Sequence, residues 1–463
     1  MQVRKAPYWY EVVSWDGSVV SHPVEVVTPK TVEDIVAVMK DKKRYPSPVR
    51  AVGSNHSATT VAIADQGTTI SMRGMNRILS IGKDTVTVQA GALYIDVAKE
   101  LEKHKLQFHV NLEIGNITVG VAACCGTKDS SFPGEYGQIS SYVIGMKLVK
   151  PNGDLAEVTE NDPELLRVMR ASNGLLGIVY EVTFRVAPLK AMHIDYDYYT
   201  LEEFERELPN IQARPESMFM YITPFIGRIT VERRKYIEGS VPAPENWRWR
   251  VRNYFWKNVA PYVGYWSSRY MAWTWFRHFM QNSLNRFQTG VMDRLIFGRT
   301  SPTDQMIRFD ESGGRRKYGF SIWAFPEEKF PKLMREYFEF NIEYYKRTGY
   351  RCDMLNVGYR ISQDDSNFFS YSHDGPVMTV DPVSSGNDGW YEYLAAYNEW
   401  CIQHGGKPLF SQSRFLTPRQ ARMAFGSRID EFNKIRRQWD PENRLLNQFY
   451  AGVFEGTAAA PES

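Results

Sequence analysis

Hydrophobic and polar positions between residues 31 and 189 follow two rhythms. In "TVEDIVAVMKDK" (31–42), Ile35, Val36, Val38 and Met39 form an apolar stripe. Thr31 stands before it as a cap, with Asp34 at the third helical position, and the pattern predicts a helix. "YIDVAKELEKH" has the same period, with Val97 and Leu101 four residues apart. Other stretches alternate at period two. "SPVRAV" before Gly53, "TTISMRGM" and "TVTVQAG" predict strands, the last two half-buried. "SSYVIGMKLVKPNGDLAEV" predicts strand, Asn-Gly turn and strand, and "GLLGIVYEVTFRVAPL" a closing strand.

The texture changes after Pro188. Residues 247–297 are dense in aromatics, beginning "WRWRVRNYFWKNVAPYVGYW". From "KYGFSIWAF" to "FFSYSHDGPVMTVD" strands are expected around a helix at "EEKFPKLMREYFEFNIEYYKRTG". The remainder is helical with a short break, and the tail "EGTAAAPES" carries no core pattern. The expected fold is α+β with two domains, residues 1–190 and 191–395, followed by a C-terminal segment, 396–463.

Composition narrows the function. The chain has 463 residues, enough for a large core, and a net charge of only +3 with its basic residues dispersed. No nucleic-acid surface is expected. No apolar run reaches membrane-spanning length and the first residues lack a secretory pattern, so a cytoplasmic protein is expected. The four cysteines, Cys124, Cys125, Cys352 and Cys401, make no disulfide framework. The histidines form no ligand-spaced cluster, so no metal is expected. GxGxxG after a strand, GxxxxGK[ST], HExxH, CxxC and GxSxG are all absent.

What remains is the loop after "SPVRAV". Gly53, Ser54, Asn55, His56 and Ser57 make a small polar turn able to aim backbone N–H groups at a phosphate. By itself such a run is an ordinary turn.

Distant segments change its meaning. "HPVEVVTPKTVEDIVAVMK", "VRAVGSNHSAT", "TVTVQAGALYIDVAKEL", "NITVGVAACCGT" and "SNGLLGIVYEVTFRVAP" occur in the order found in the flavin domain of the vanillyl-alcohol-oxidase superfamily. The chain resembles most its aldonolactone and alditol oxidase branch. "HGGKPLFSQSRFLTP" and "DPENRLLNQFY" are similar to that branch's closing motifs. The resemblance implies an FAD-binding domain, a substrate domain with an antiparallel sheet flanked by helices, and a C-terminal segment returning to the flavin. It implies that Gly53, Ser54, Asn55 and Ser57 hold the pyrophosphate. Thr118, Gly120, Gly126 and Thr127 would line a second loop, with Ile178 offering backbone contacts. His56 would carry FAD covalently through its 8α-methyl carbon, which raises the reduction potential. The cysteine of doubly tethered relatives corresponds to Asn116, so one attachment is implied. Cys124 and Cys125 would pack beneath the flavin. Lys128 replaces a histidine of the close relatives.

The substrate side departs from the family pattern. Its Glu-x-Arg falls on Gly358 and Arg360, so the acid is missing. Tyr359, Tyr371 or His373 would replace it, although His373 reads equally as an exposed turn residue. Lys407 would face the N1–C2 edge of the isoalloxazine and stabilise the charge that builds there. The aromatic run reads as domain core, as an apolar pocket lining or, given its interspersed arginines, as a peripheral membrane contact. The resemblance thus implies an FAD-linked oxidoreductase acting on a small molecule. Hydride would leave an alcohol-type carbon for flavin N5, with oxygen or another acceptor reoxidising the flavin, and a substrate more apolar than a sugar is expected. An oxidative cyclase and an FAD-binding protein without turnover are the alternatives.

Overall fold

The computed structural model describes residues 2–242, 247–292, 295, 299–309 and 317–456. Phe297 and the tail after residue 456 fall outside them.

The helix expected over 31–42 forms over Val32–Lys40. Thr31 Oγ1 accepts from the Asp34 N–H, and the Asp34 carboxylate accepts from the Thr31 N–H. It buries Ile35, Val38 and Met39, each contributing about 1.5–3 kcal/mol by transfer from water. "YIDVAKELEKH" is helical over Tyr94–Lys103.

The N-terminal strands form two main sheets. A small parallel sheet places Thr68–Ser71 between Glu25–Val27 and Val49–Val52. An antiparallel sheet runs in the order Leu155–Thr159, Val143–Val149, Ile178–Arg185, Thr85–Gln89, Ile78–Ile81. Its first pair is the strand, turn and strand read from "VIGMKLVKPNGDLAEV", with Gly153 at φ +87° in the turn. The short helix Val119–Cys124 packs on the closing strand.

A second, seven-stranded antiparallel sheet takes strands from Ala191–Thr200, Arg228–Ile237, Ser217–Thr223, Asn356–Ile361, Val377–Val380, Trp323–Pro326 and Lys407–Pro408, in that order. Its last edge strand therefore comes from the C-terminal segment. The expected helix runs over Phe330–Thr348 and ends at Gly349, which has φ +75°.

The aromatic run is helical over Trp247–Tyr254, continues through a π turn at Phe255–Val259 and Ala260–Tyr270, and folds back along Thr274–Phe287. Reading it as core holds for Trp249 and Phe255, which are buried. It fails for Trp247, Tyr254, Tyr270, Trp273, Trp275 and Phe279, which are exposed. Among the described residues no helix is long and apolar enough to cross a membrane.

Candidate functional site

The turn after Val49–Val52 enters a continuous cavity of about 220 Å³ that runs from the parallel sheet to the seven-stranded sheet. Gly53 begins it. A Cβ there would lie 2.0 Å from Thr118 Oγ1, so only glycine lets the two loops meet. Asn55 takes the left-handed conformation, φ +57°, which turns the chain back within one residue. Trp15 N–H donates to the Asn55 carbonyl at 2.7 Å, and Gln412 Nε2 donates to the His56 carbonyl at 3.3 Å. The turn is thus held from the chain's beginning and from its C-terminal segment.

His56 presents its ring to the cavity and lies against Trp15, with ring centroids 4.9 Å apart. Both imidazole nitrogens are shut off from solvent, and neither has a hydrogen-bond partner among the described residues. Desolvation, with the charge of Lys317 adding to it, pushes its pKa down to about 3, so the ring is neutral at pH 7. A buried imidazole with two idle nitrogens has lone-pair capacity unused within the protein. It fits a group attached at one nitrogen.

The second loop closes the other side. Ser54 Oγ donates to the Asn116 carbonyl, and Asn116 in turn exchanges two hydrogen bonds with the Phe309 backbone, at 3.2 and 3.3 Å. Asn116 is a brace rather than an attachment point. Thr118, Gly120 and Thr127 line the cavity, with Cys124 and Cys125 beneath them. Burial pushes both thiols up to about 12, so neither is a nucleophile at neutral pH. Gly126, at φ +64°, turns the chain between Cys125 and Thr127. Ile178 is fully buried, and its neighbours Gly177 and Val179 line the cavity. At the far end Arg50 donates to the carbonyls of Val61, Asn173 and Leu445 and sits 5.2 Å from the Tyr450 ring. Two glycine-permitted loops, an idle imidazole and a long slot fit FAD.

Of the residues expected on the substrate side, Tyr359 lines the cavity, whereas Arg360, Tyr371, His373 and Lys407 do not. Strand alternation explains Arg360. In Asn356–Ile361 the odd-numbered Val357 and Tyr359 face the cavity, so Gly358 and Arg360 face away. Arg360 pairs with Glu327 at 2.8 Å and donates to the Gln212 carbonyl. A side chain at 358 would start 2.5 Å from the Thr379 carbonyl and 2.7 Å from Met220 Cε. Lys407 pairs with Asp374. His373 sits beside them, half-buried. Tyr371 is buried behind the second loop and donates to the Gly126 carbonyl at 3.4 Å.

Other polar groups occupy the cavity instead. Lys128 Nζ lies 3.2 Å from Asp381 Oδ2 and 3.5 Å from the centre of the Tyr359 ring, and both charged side chains are buried. Asp381 Oδ1 is shut off from solvent and has no hydrogen-bond partner among the described residues. Burial raises the Asp381 carboxyl to about 6, opposed by the nearby ammonium. Burial lowers Lys128, with Asp381 opposing. Tyr359 donates to Glu113 at 3.3 Å, and Arg252 donates to Glu113 and to Tyr221. Around these groups the wall is apolar and aromatic, including Trp256, Phe309, Tyr318, Phe320 and Leu355. The sequence marked Lys128 as a departure without a role. Asp381 and Glu113 carry no local motif.

Residues 23–159 match the FAD binding domain family. Over 449 residues the chain is 23% identical to L-gulono-1,4-lactone dehydrogenase of Mycobacterium tuberculosis, covering 96% of this chain and 98% of that protein. It is 22% identical to L-gulonolactone oxidase of Mus musculus, covering 95% and 97%. The structure is similar to that of cholesterol oxidase from Brevibacterium sterolicum, with a TM-score of 0.71 over 98% of this chain and 100% of that one, at 16% identity.

Proposed function

We propose that the chain is an FAD-dependent oxidoreductase of the vanillyl-alcohol-oxidase type and that it oxidises an alcohol carbon borne on an apolar or aromatic frame, with Asp381 as the base. The buried Lys128–Asp381 pair in the wall of an apolar cavity carries this reading. A carboxyl raised to about 6 is ionised at pH 7 yet still basic enough to take a hydroxyl proton. Lys128 holds it by one oxygen and keeps it charged. Tyr359, tied to Glu113, supports the ammonium from beneath.

FAD, when bound, supplies the acceptor for the hydride. Gly53, Ser54, Asn55 and Ser57 would take its pyrophosphate; Thr118, Gly120 and Thr127 would line its opposite side. His56 would carry it covalently, since a neutral imidazole is the nucleophilic form. The aromatic and aliphatic wall excludes water and favours an apolar substrate.

Anaerobic mixing tests this. Aryl or long-chain alcohols are expected to bleach the flavin absorbance rapidly, giving product two hydrogens lighter. Bleaching by aldonolactones alone would return the substrate to the class named in its relatives. A product with a new ring would make the protein an oxidative cyclase, and no bleaching by any alcohol would sink the proposed reaction.

A further inference from the structure

The helices over the seven-stranded sheet are turned inside out. Along Thr274–Phe287 the buried positions are Gln281 and Asn285, followed by Gln288 in the next turn. Gln281 Nε2 donates to Ser267 and Ser268. The outward positions are aromatic: Trp275 is 70% exposed and Phe279 59%, and Trp273, just before the helix, is 70% exposed. A surface helix in water has the opposite arrangement.

The preceding helical run repeats the pattern. Trp247, Val251, Tyr254, Tyr262, Trp266 and Tyr270 are all exposed and recur three, four or eight residues apart, which puts them on one stripe. The π turn at Phe255–Val259 shifts the spacing midway, which blurs the periodicity in the sequence.

Charge identifies what covers this face. Residues 247–292 contain seven arginines and lysines and no aspartate or glutamate. Arg252 is buried at the cavity, while Arg250, Arg269 and Arg286 are exposed. Tryptophan and tyrosine among arginines match the boundary between lipid headgroups and acyl chains. A second copy meeting this face about a two-fold axis would bring like charges together.

We propose that the outer face of residues 247–287 docks on an anionic lipid bilayer, lying in its interface without spanning it. The inner side of the same helices contributes Arg252 and Trp256 to the cavity wall, so the cavity lies beneath the docked face.

Flotation of the flavin-loaded protein with vesicles tests this, using phosphatidylcholine alone or mixed with phosphatidylglycerol. The protein is expected to float with the mixed vesicles, less so at high salt. The triple variant Trp273→Ser, Trp275→Ser, Phe279→Ser is expected to lose about tenfold or more in partitioning, with flavin absorbance and thermal unfolding unchanged. Failure to float, or flotation of the variant equal to the parent, overturns the proposal. So does concentration-dependent self-association that the variant abolishes, which would make the face an interface between copies. Should the variant not fold, brominated acyl chains decide: quenching of the parent's tryptophan fluorescence supports docking, and no quenching overturns it. These readings use no substrate, so they are independent of the proposed reaction.

Discussion

Lys128 and Asp381 meet as a buried ion pair at 3.2 Å, and both residues line the cavity. The pair joins the end of the loop after Val119–Cys124 to the seven-stranded sheet, across 253 positions of sequence. Replacing Lys128 by Met strands a carboxylate in an apolar site. Stability is expected to fall by about 3–5 kcal/mol, with Asp381→Asn in the same chain restoring most of it. Urea unfolding of the two variants checks this, and equal loss in both would mean that Lys128 packs rather than pairs.

Asp381→Asn alone is expected to lower kcat about 10²- to 10⁴-fold with the flavin spectrum unchanged. The parent's kcat/KM is expected to fall as pH drops through about 6, because protonation removes the base. The fall approaches tenfold per pH unit. The variant should lack that limb. A variant that keeps both rate and limb would remove Asp381 from the chemistry.

Denatured parent protein is expected to stay yellow and to fluoresce in a gel, whereas His56→Ala releases all its flavin. Released flavin from the parent itself would leave His56 a packing residue against Trp15.

Gly53→Ala forces a methyl group onto Thr118 Oγ1. The two loops are expected to part, with flavin content falling more than tenfold and destabilisation of about 1–3 kcal/mol. Titration of the variant with FAD and its thermal unfolding measure both effects. Full flavin loading would show that the loops tolerate separation.

Arg360→Ala removes a half-buried pair with Glu327 on the sheet face turned away from the cavity. Stability is expected to change by roughly 1 kcal/mol or less and turnover by only a few-fold. A hundredfold loss of kcat at unchanged stability would put Arg360 in the substrate site and contradict the alternation seen at Val357 and Tyr359.

Local signals were enough for the N-terminal half. The Thr31–Asp34 cap, the alternation in "TVTVQ" and the turn in "KPNGD" depend on residues a few positions apart, and each formed as read. The loop at Gly53–Ser57 was legible for the same reason: a small polar turn after a strand is a local object. Its partner Thr118 was placed by family resemblance, and only contact geometry shows why residue 53 is glycine.

The substrate side was legible at Tyr359 alone. Asn356–Ile361 is covered on both faces, so its residue pattern carries no sign of which face meets the cavity. Ordered matching to a family motif selected Gly358 and Arg360, whereas the pleat turned Tyr359 inward. Lys128, Asp381, Glu113 and Arg252 come from segments 139 to 253 residues apart in the pairs they form. Pairing at such separations is settled by sheet register and loop closure, which short windows of sequence do not record. The sequence by itself determined the two rhythms, the small polar turn at Gly53–Ser57 and the excess of cations among aromatics. Which charges face one another in the cavity, and which aromatics face outward, only the tertiary structure decided, because both depend on the packing of elements remote along the chain.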